Sequence, residues 1–246
     1  MKGHDRRDSL EVKDLVKIYG KRTVVNRVHV SVNREQIVGL LGPNGAGKTT
    51  TFYMIVGLIK AEEGKIFLDG QDISDEPMYK RARRGITYLS QEPSVFRKLT
   101  VEENLLAIME IVNTPVQERE SLLHSLLSEL NIGHLAKQKA FSLSGGERRR
   151  LEITRALITN PKFILLDEPF AGIDPLAIVD IKQIVHGLKE RGLGIMISDH
   201  NVRETLDVCD VAYIIHGGEI IESGAPERIA ASDVVKSVYL GENFSF

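Results

Sequence analysis

The sequence predicts an α/β protein in which a helical lobe interrupts a mixed core, and three observations carry that expectation. Residues 37–41 (Ile-Val-Gly-Leu-Leu) run continuously apolar into a glycine-rich turn and then into helical spacing, the pattern of a buried strand feeding a helix. The same alternation of buried strand and helix resumes at Phe163 and continues toward the C-terminus. Between the two, from about residue 92 to 160, the apolar spacing is helical.

Taken in order, residues 10–16 and 24–32 alternate apolar and polar side chains, as half-buried antiparallel strands do. After the strand at 37–41, Phe52, Ile55, Val56 and Ile59 mark a helix over 49–59, and residues 86–89 form another strand. In the middle segment Thr100 and Glu103 have capping-box spacing ahead of Leu105, Leu106, Met109 and Val112. Leu122, Leu123, Leu126, Leu127 and Leu130 make a second apolar stripe, and Leu151, Thr154, Leu157 and Ile158 a third. Residues 163–166 are a buried strand. Asp174-Pro175 reads as an N-cap with proline at the first helical position, and Ile178, Ile181, Val185 and Leu188 face inward. Residues 195–198 are again a buried strand, and Gly217-Gly218 turns a hairpin between 211–215 and 219–222. One domain, 1–246, is expected, with a core built from 1–91 and 161–246 and a helical subdomain at 92–160.

The composition of the 246 residues, 42% hydrophobic and 27% charged, suits a globular chain with a sizeable core. A net charge of -2 argues against nucleic acid held by a broad basic field. The basic runs Lys80-Arg81-Arg83-Arg84 and Arg148-Arg149-Arg150 read as solvated helix faces or rims. A single cysteine, Cys209, forms no intrachain disulfide and points to a reducing compartment. Residues 1–8 are polar, without a signal-peptide core. No apolar run approaches the ~20 residues that span a bilayer, so no direct membrane insertion is expected and any crossing falls to another polypeptide.

Gly42-Pro43-Asn44-Gly45-Ala46-Gly47-Lys48-Thr49 matches G-x-x-x-x-G-K-[ST] between a strand and a helix. Glycines let backbone N–H groups curl around phosphate oxygens, Lys48 supplies a point charge to the β- and γ-phosphates, and the Thr49 hydroxyl suits Mg²⁺. Together with Thr50, these residues are the expected phosphate contacts. By itself the motif specifies only a nucleoside triphosphate. The strand at 163–166 ends in Asp167-Glu168, where such a sheet delivers side chains to its ligand crevice. Asp167 is placed to hold the metal through water and Glu168 to polarise the attacking water. Elsewhere the same pair is simply a strand leaving for solvent.

Leu143-Ser144-Gly145-Gly146-Glu147 lies 23 residues before Asp167 when counted from Ser144. Ser144 and Glu147 fit a capping box, but capping does not call for two glycines at a helix start. Bare backbone there suits close approach to a second phosphate-bearing surface. This segment resembles the signature of the ATP-binding-cassette (ABC) ATPases, with Glu147 in place of the commoner glutamine. The resemblance implies a P-loop NTPase (RecA-like) core with an antiparallel β subdomain and an inserted α-helical subdomain. It also implies roles for further residues. Gln91 resembles the glutamine that contacts Mg²⁺ and water while linking core to lobe. Gly172-Ile173-Asp174 resembles the loop that crosses to the other subunit, and His200 the switch histidine at the γ-phosphate. Tyr19 stands where the family keeps an aromatic that stacks on adenine. Taken singly, a histidine or tyrosine is more often structural.

The family further implies a head-to-tail homodimer. Each ATP lies between one subunit's phosphate loop and the other's Ser144, Gly145 and Gly146. Mg²⁺-dependent hydrolysis then drives polytopic membrane subunits from the cytoplasmic face of the inner membrane. Longer stretches, at 143–150, 162–174, 199–205 and the 239–242 ending, resemble the branch of the family that powers lipopolysaccharide export. Branched-chain amino-acid importer ATPases, which share a basic triplet after the signature, are the alternative, and a non-transport scaffold cassette stays open. The interval between phosphate loop and signature leaves no room for the coiled coil of chromosome-organising relatives. Residues 92–99 carry apolar side chains without periodicity. Phe96 is either an anchor for a partner helix or a pin that holds this loop to the lobe's own core.

Overall fold

Alternation along β1 (Ser9–Tyr19) and β2 (Arg22–Asn33) buries Leu10, Val12 and Leu15 on one strand and Val25, Val28, Val30 and Val32 on the other. The two pair antiparallel. The computed structural model describes residues 8–241; the polar residues 1–7 and Glu242 of the 239–242 ending lie outside them. In β3 (Ile37–Leu41) every residue is buried, which requires cover on both faces. After helix α1 (Lys48–Val56), strands β4 (Glu63–Leu68) and β5 (Gln71–Asp72) complete a four-stranded antiparallel sheet ordered β2-β1-β4-β5. Helix α2 (Met78–Arg83) leads into β6 (Ile86–Leu89).

Helices α3 (Val101–Ile111), α4 (Val116–Glu129) and α5 (Gly145–Leu157) follow before the chain returns to strand β7 (Phe163–Asp167). Then come α6 (Pro175–Glu190), β8 (Gly194–Asp199), α7 (Val202–Val208) and the hairpin β9 (Val211–His216) and β10 (Glu219–Gly224). The second sheet has the order β10-β9-β3-β8-β7-β6. All its pairings are parallel except β10 with β9.

Two apolar clusters hold these layers. In one, Phe52 and Ile55 of α1 fill the space between the sheets against Val30, Val38 and Leu165. In the other, Leu105, Met109, Leu127 and Leu151 of the lobe join Leu166, Ile197 and Ile181 of the core. The capping box at Thr100 is formed: its backbone N–H donates to Glu103 Oε2 at 2.6 Å, and its hydroxyl accepts from the Glu103 N–H at 3.1 Å.

Three expectations need correction. Helix α1 ends at Val56, not Ile59, because Gly57 takes the left-handed conformation (φ 81°) and caps the helix with its N–H on the Met54 carbonyl. The helical stretch begins at Val101 rather than near residue 92. The basic runs are not simply solvated faces. Arg81 is 3% exposed, and its guanidinium donates to the carbonyls of Met54, Ile55, Ser74 and Glu76 at 2.7–2.8 Å. Arg149 is likewise buried. Arg81→Ala would leave those carbonyls without a donor, at a cost of about 2–3 kcal/mol in a urea titration. Lys80→Ala, on the exposed face of the same helix, should stay within about 0.5 kcal/mol of the parent.

Candidate active site

The parallel register sets β3, β8, β7 and β6 nearly flush: Leu41 pairs with Asp199, Asp167 with Ser198, and Leu89 with Leu166. The segments that follow these ends therefore meet at one edge of the sheet. From β3 comes the phosphate loop. At Gly42 a Cβ would stand 2.1 Å from the Ile215 carbonyl oxygen, so the hairpin strand β9 admits only glycine there. Lys48, at the start of α1, folds back to donate to the carbonyls of Gly42 at 2.7 Å and Pro43 at 3.1 Å. Burial pulls its ammonium below the usual lysine pKa, against the opposing pull of Glu168, Asp167 and Asp199.

Strand β7 delivers Asp167, whose carboxylate is held from both sides. Ser198 Oγ donates to Oδ1 and the Tyr88 phenol to Oδ2 at 3.0 Å. The Thr49 hydroxyl lies 3.4 Å from Oδ1. Burial, and after it the Asp167 charge, push the Tyr88 phenol above its usual pKa, so it is a hydrogen-bond donor throughout the physiological range. Glu168 adopts φ 46°, a left-handed conformation uncommon outside glycine, and its N–H is anchored on the Ser198 carbonyl at 2.7 Å. Its Oε2 receives Gln91 Nε2 at 2.7 Å and lies 3.3 Å from His200 Nδ1. The His200 side chain is 53% exposed, which rules out a core histidine.

The structure thus gathers Lys48, Thr49, Gln91, Asp167, Glu168 and His200. It does not bring Tyr19, Ser144 or Asp174 into that cluster. Tyr19 is exposed, with Lys17 Nζ 5.3 Å from its ring centre. The Ser144 hydroxyl caps α5 by accepting the Glu147 N–H at 3.3 Å, and Asp174 caps α6 by accepting the Ala177 N–H at 3.0 Å.

Residues that sequence reasoning missed also line the site. Tyr88 and Ser198 are found only once strand register is known. Asp199 precedes His200 in sequence, which was a usable signal. It is fully buried, accepts the N–H groups of Phe170 and Asn201, and has its pKa raised by burial. Tyr239, from the helical turns at Lys236–Leu240, donates to the His200 carbonyl at 3.4 Å and has its pKa pushed up by burial to about 12.

Among the described residues no group of three His, Cys, Asp or Glu side chains could hold a metal. The donors present are a hydroxyl, a carboxylate and an amide: Thr49, Asp167 and Gln91. Such a set suits Mg²⁺, which binds through few protein oxygens plus phosphate and water.

The ABC transporter family matches residues 25–171. The chain is 58% identical to the lipopolysaccharide export system ATP-binding protein LptB of Haemophilus influenzae, covering 96% of this chain and 98% of that one. It is 54% identical to the protein of the same name from Escherichia coli, with the same coverage. Among solved structures, a nucleotide-free ATP-binding cassette from an ABC transporter superposes with a TM-score of 0.87 at 32% identity, over 96% of this chain and 100% of that one.

The second glycine of the 145–146 pair has an intramolecular reason. A Cβ at Gly146 would sit 2.5 Å from the Ala177 Cβ, so bareness at this position lets α5 pack against α6. At Gly145 the nearest atom, the Gly172 carbonyl oxygen, would be 3.1 Å away. Alanine favours a helix by roughly 1 kcal/mol over glycine, yet Gly146→Ala should destabilise by about 1–3 kcal/mol through overpacking. Adding Ala177→Gly should recover most of that loss in chemical denaturation.

Proposed function

The chain belongs to the ABC transporter family as an ATP-binding, ATP-hydrolysing cassette, and from that premise we propose that it powers lipopolysaccharide export. Identity of 54–58% over nearly the full length of two export ATPases supports that cargo. We further propose that two copies close head to tail around two ATP. What supports this is the split in the site: the phosphate-side residues are gathered, while Ser144 and Asp174, from the segments expected to meet the other copy, stand exposed outside the cluster.

In this reading the N–H groups of residues 42–50 and Lys48 hold the β- and γ-phosphates, and a phosphate restores to the Lys48 ammonium what burial takes away. Bound at Thr49, Asp167 and Gln91, Mg²⁺ would neutralise charge developing on the phosphate oxygens. Glu168 orients and polarises the water. The observation that carries this role is that Gln91 and His200 both address Oε2, leaving Oε1 without a hydrogen-bond partner among the described residues. His200 reaches toward the γ-phosphate from the exposed side. Glu168→Gln keeps the binding groups and removes the base. It should abolish turnover while ATP and Mg²⁺ accumulate the dimer in gel filtration. A variant that still hydrolyses ATP, or stays monomeric at micromolar protein, contradicts the assignment.

No helix among the described residues is long and apolar enough to cross a membrane. We propose that the chain sits on the cytoplasmic face of the inner membrane through polytopic partner subunits that dock at Phe96. Asn104, fully buried, ties the loop down by its backbone, accepting the Phe96 N–H at 2.8 Å and donating to the Phe96 carbonyl at 3.1 Å. Val95 supplies the buried apolar contact. The Phe96 ring is thereby left 39% exposed, covered on one side by the Arg155 guanidinium 4.6 Å from its centre. Just past the end of α5, Ile158 and Thr159 line an open groove with Arg83, Ile111 and Leu122. Phe96→Ala should leave the ATPase rate of the isolated subunit unchanged and lose co-purification with membrane subunits, since buried aromatic anchors contribute about 2 kcal/mol or more.

A further inference from the structure

Arg149 and Glu152 form a buried ion pair on α5, each side chain 6% exposed, with Nη1 and Oε2 3.0 Å apart. Burying two charges is seldom a route to stability, because an apolar pair of similar volume commonly does as well or better. The other bonds these side chains make suggest a different use. Arg149 Nη1 also donates to the Ser90 carbonyl at 3.0 Å, and Glu152 Oε1 accepts the Ser94 N–H at 2.7 Å. The segment that carries Gln91 is therefore gripped on both sides by side chains one helical turn apart. The same guanidinium reaches the Asp167 carbonyl through Nη2 at 3.4 Å. Both partners in the Gln91–Glu168 hydrogen bond are thus next in sequence to a residue bonded to Arg149.

We propose that the Arg149–Glu152 pair is a positioning device, fixing the Gln91 and Glu168 side chains relative to each other and to the helix capped by Ser144. Neither residue touches the reacting atoms. Through these bonds the pair ties α5 both to the Gln91 segment and to the end of β7, the two places from which the Gln91–Glu168 hydrogen bond is made. A planar fork is needed for this, since Nη1 serves Glu152 and Ser90 while Nη2 reaches Asp167, and the single nitrogen of a lysine cannot occupy both places.

The inference rests on the catalytic reading of Glu168, and Arg149→Lys in the full chain tests it. Lysine keeps the charge for Glu152 and loses the fork. We expect kcat for ATP to fall at least about ten-fold, because small misplacements of catalytic groups are costly. KM should stay within about two-fold and the melting temperature within roughly 4 °C of the parent. In a Gln91→Ala background the same substitution should cost clearly less than in the parent, because the Gln91–Glu168 hydrogen bond that the pair aligns is already lost. Unchanged kcat, a loss that adds in full to that of Gln91→Ala, or KM and melting temperature that worsen in step with kcat would each overturn the proposal. Should Arg149→Lys not fold, the double variant R149M/E152L removes both buried charges and carries the same expectation. If that too fails to fold, the pair is structural and the proposal is wrong. Glu168→Gln separates the two levels: a fully active E168Q defeats the catalytic reading itself. An inactive E168Q beside an active R149K defeats only the positioning.

Discussion

The parallel pairing of β3, β8, β7 and β6 places four strand ends on one edge, and the chemistry is built from whatever follows those ends. Antiparallel pairing would send alternate ends to opposite sides and scatter the phosphate loop, Asp167, His200 and Gln91. Parallel strands must be buried on both faces, which explains two unlike covers. On one side lie α1 and the antiparallel sheet; on the other lie the lobe helices with α6 and α7. The site inherits its rigidity from that double cover, since Ser198 and Tyr88, which hold Asp167, belong to the neighbouring strands.

Within this frame the electrostatics are deliberately unbalanced. A buried ammonium stands near three carboxylates, and burial opposes its charge as well as that of Asp199. In the proposed function a phosphate would restore balance to Lys48 and a divalent cation would do so for the carboxylates. The left-handed backbone of Glu168 adds a local cost that the surrounding hydrogen bonds sustain, and such strain concentrates at functional positions.

Much of this was legible in the sequence. The strand at 163–166 and the helix after Asp174-Pro175 stand where periodicity and capping place them, because both signals are local. What escaped depends on partners far away in the chain. Arg81 reads as one cation in a solvated run until the C-terminal end of α1 is seen beside it. Tyr88 and Ser198 carry no motif, and only the register of three strands aims them at Asp167. Gly146 was legible as a close approach, and within the chain it is Ala177 that a side chain there would strike. At the 92–99 loop the sequence offered Phe96 as anchor or pin, and packing assigned the inward role to Val95.

The guanidinium beneath α1 has an electrical consequence. A nine-residue helix, roughly 13 Å long, carries about half a positive charge at the end that faces phosphate and an equal negative charge at its other end. In a protein interior that negative end would be stranded away from water. Arg81 neutralises it with a full cation, on the carbonyls of Met54 and Ile55. The dipole can then present its positive end to an anion without leaving an unscreened charge in the core. A residue of α2 that never meets the nucleotide is thereby part of the same circuit as the loop that does.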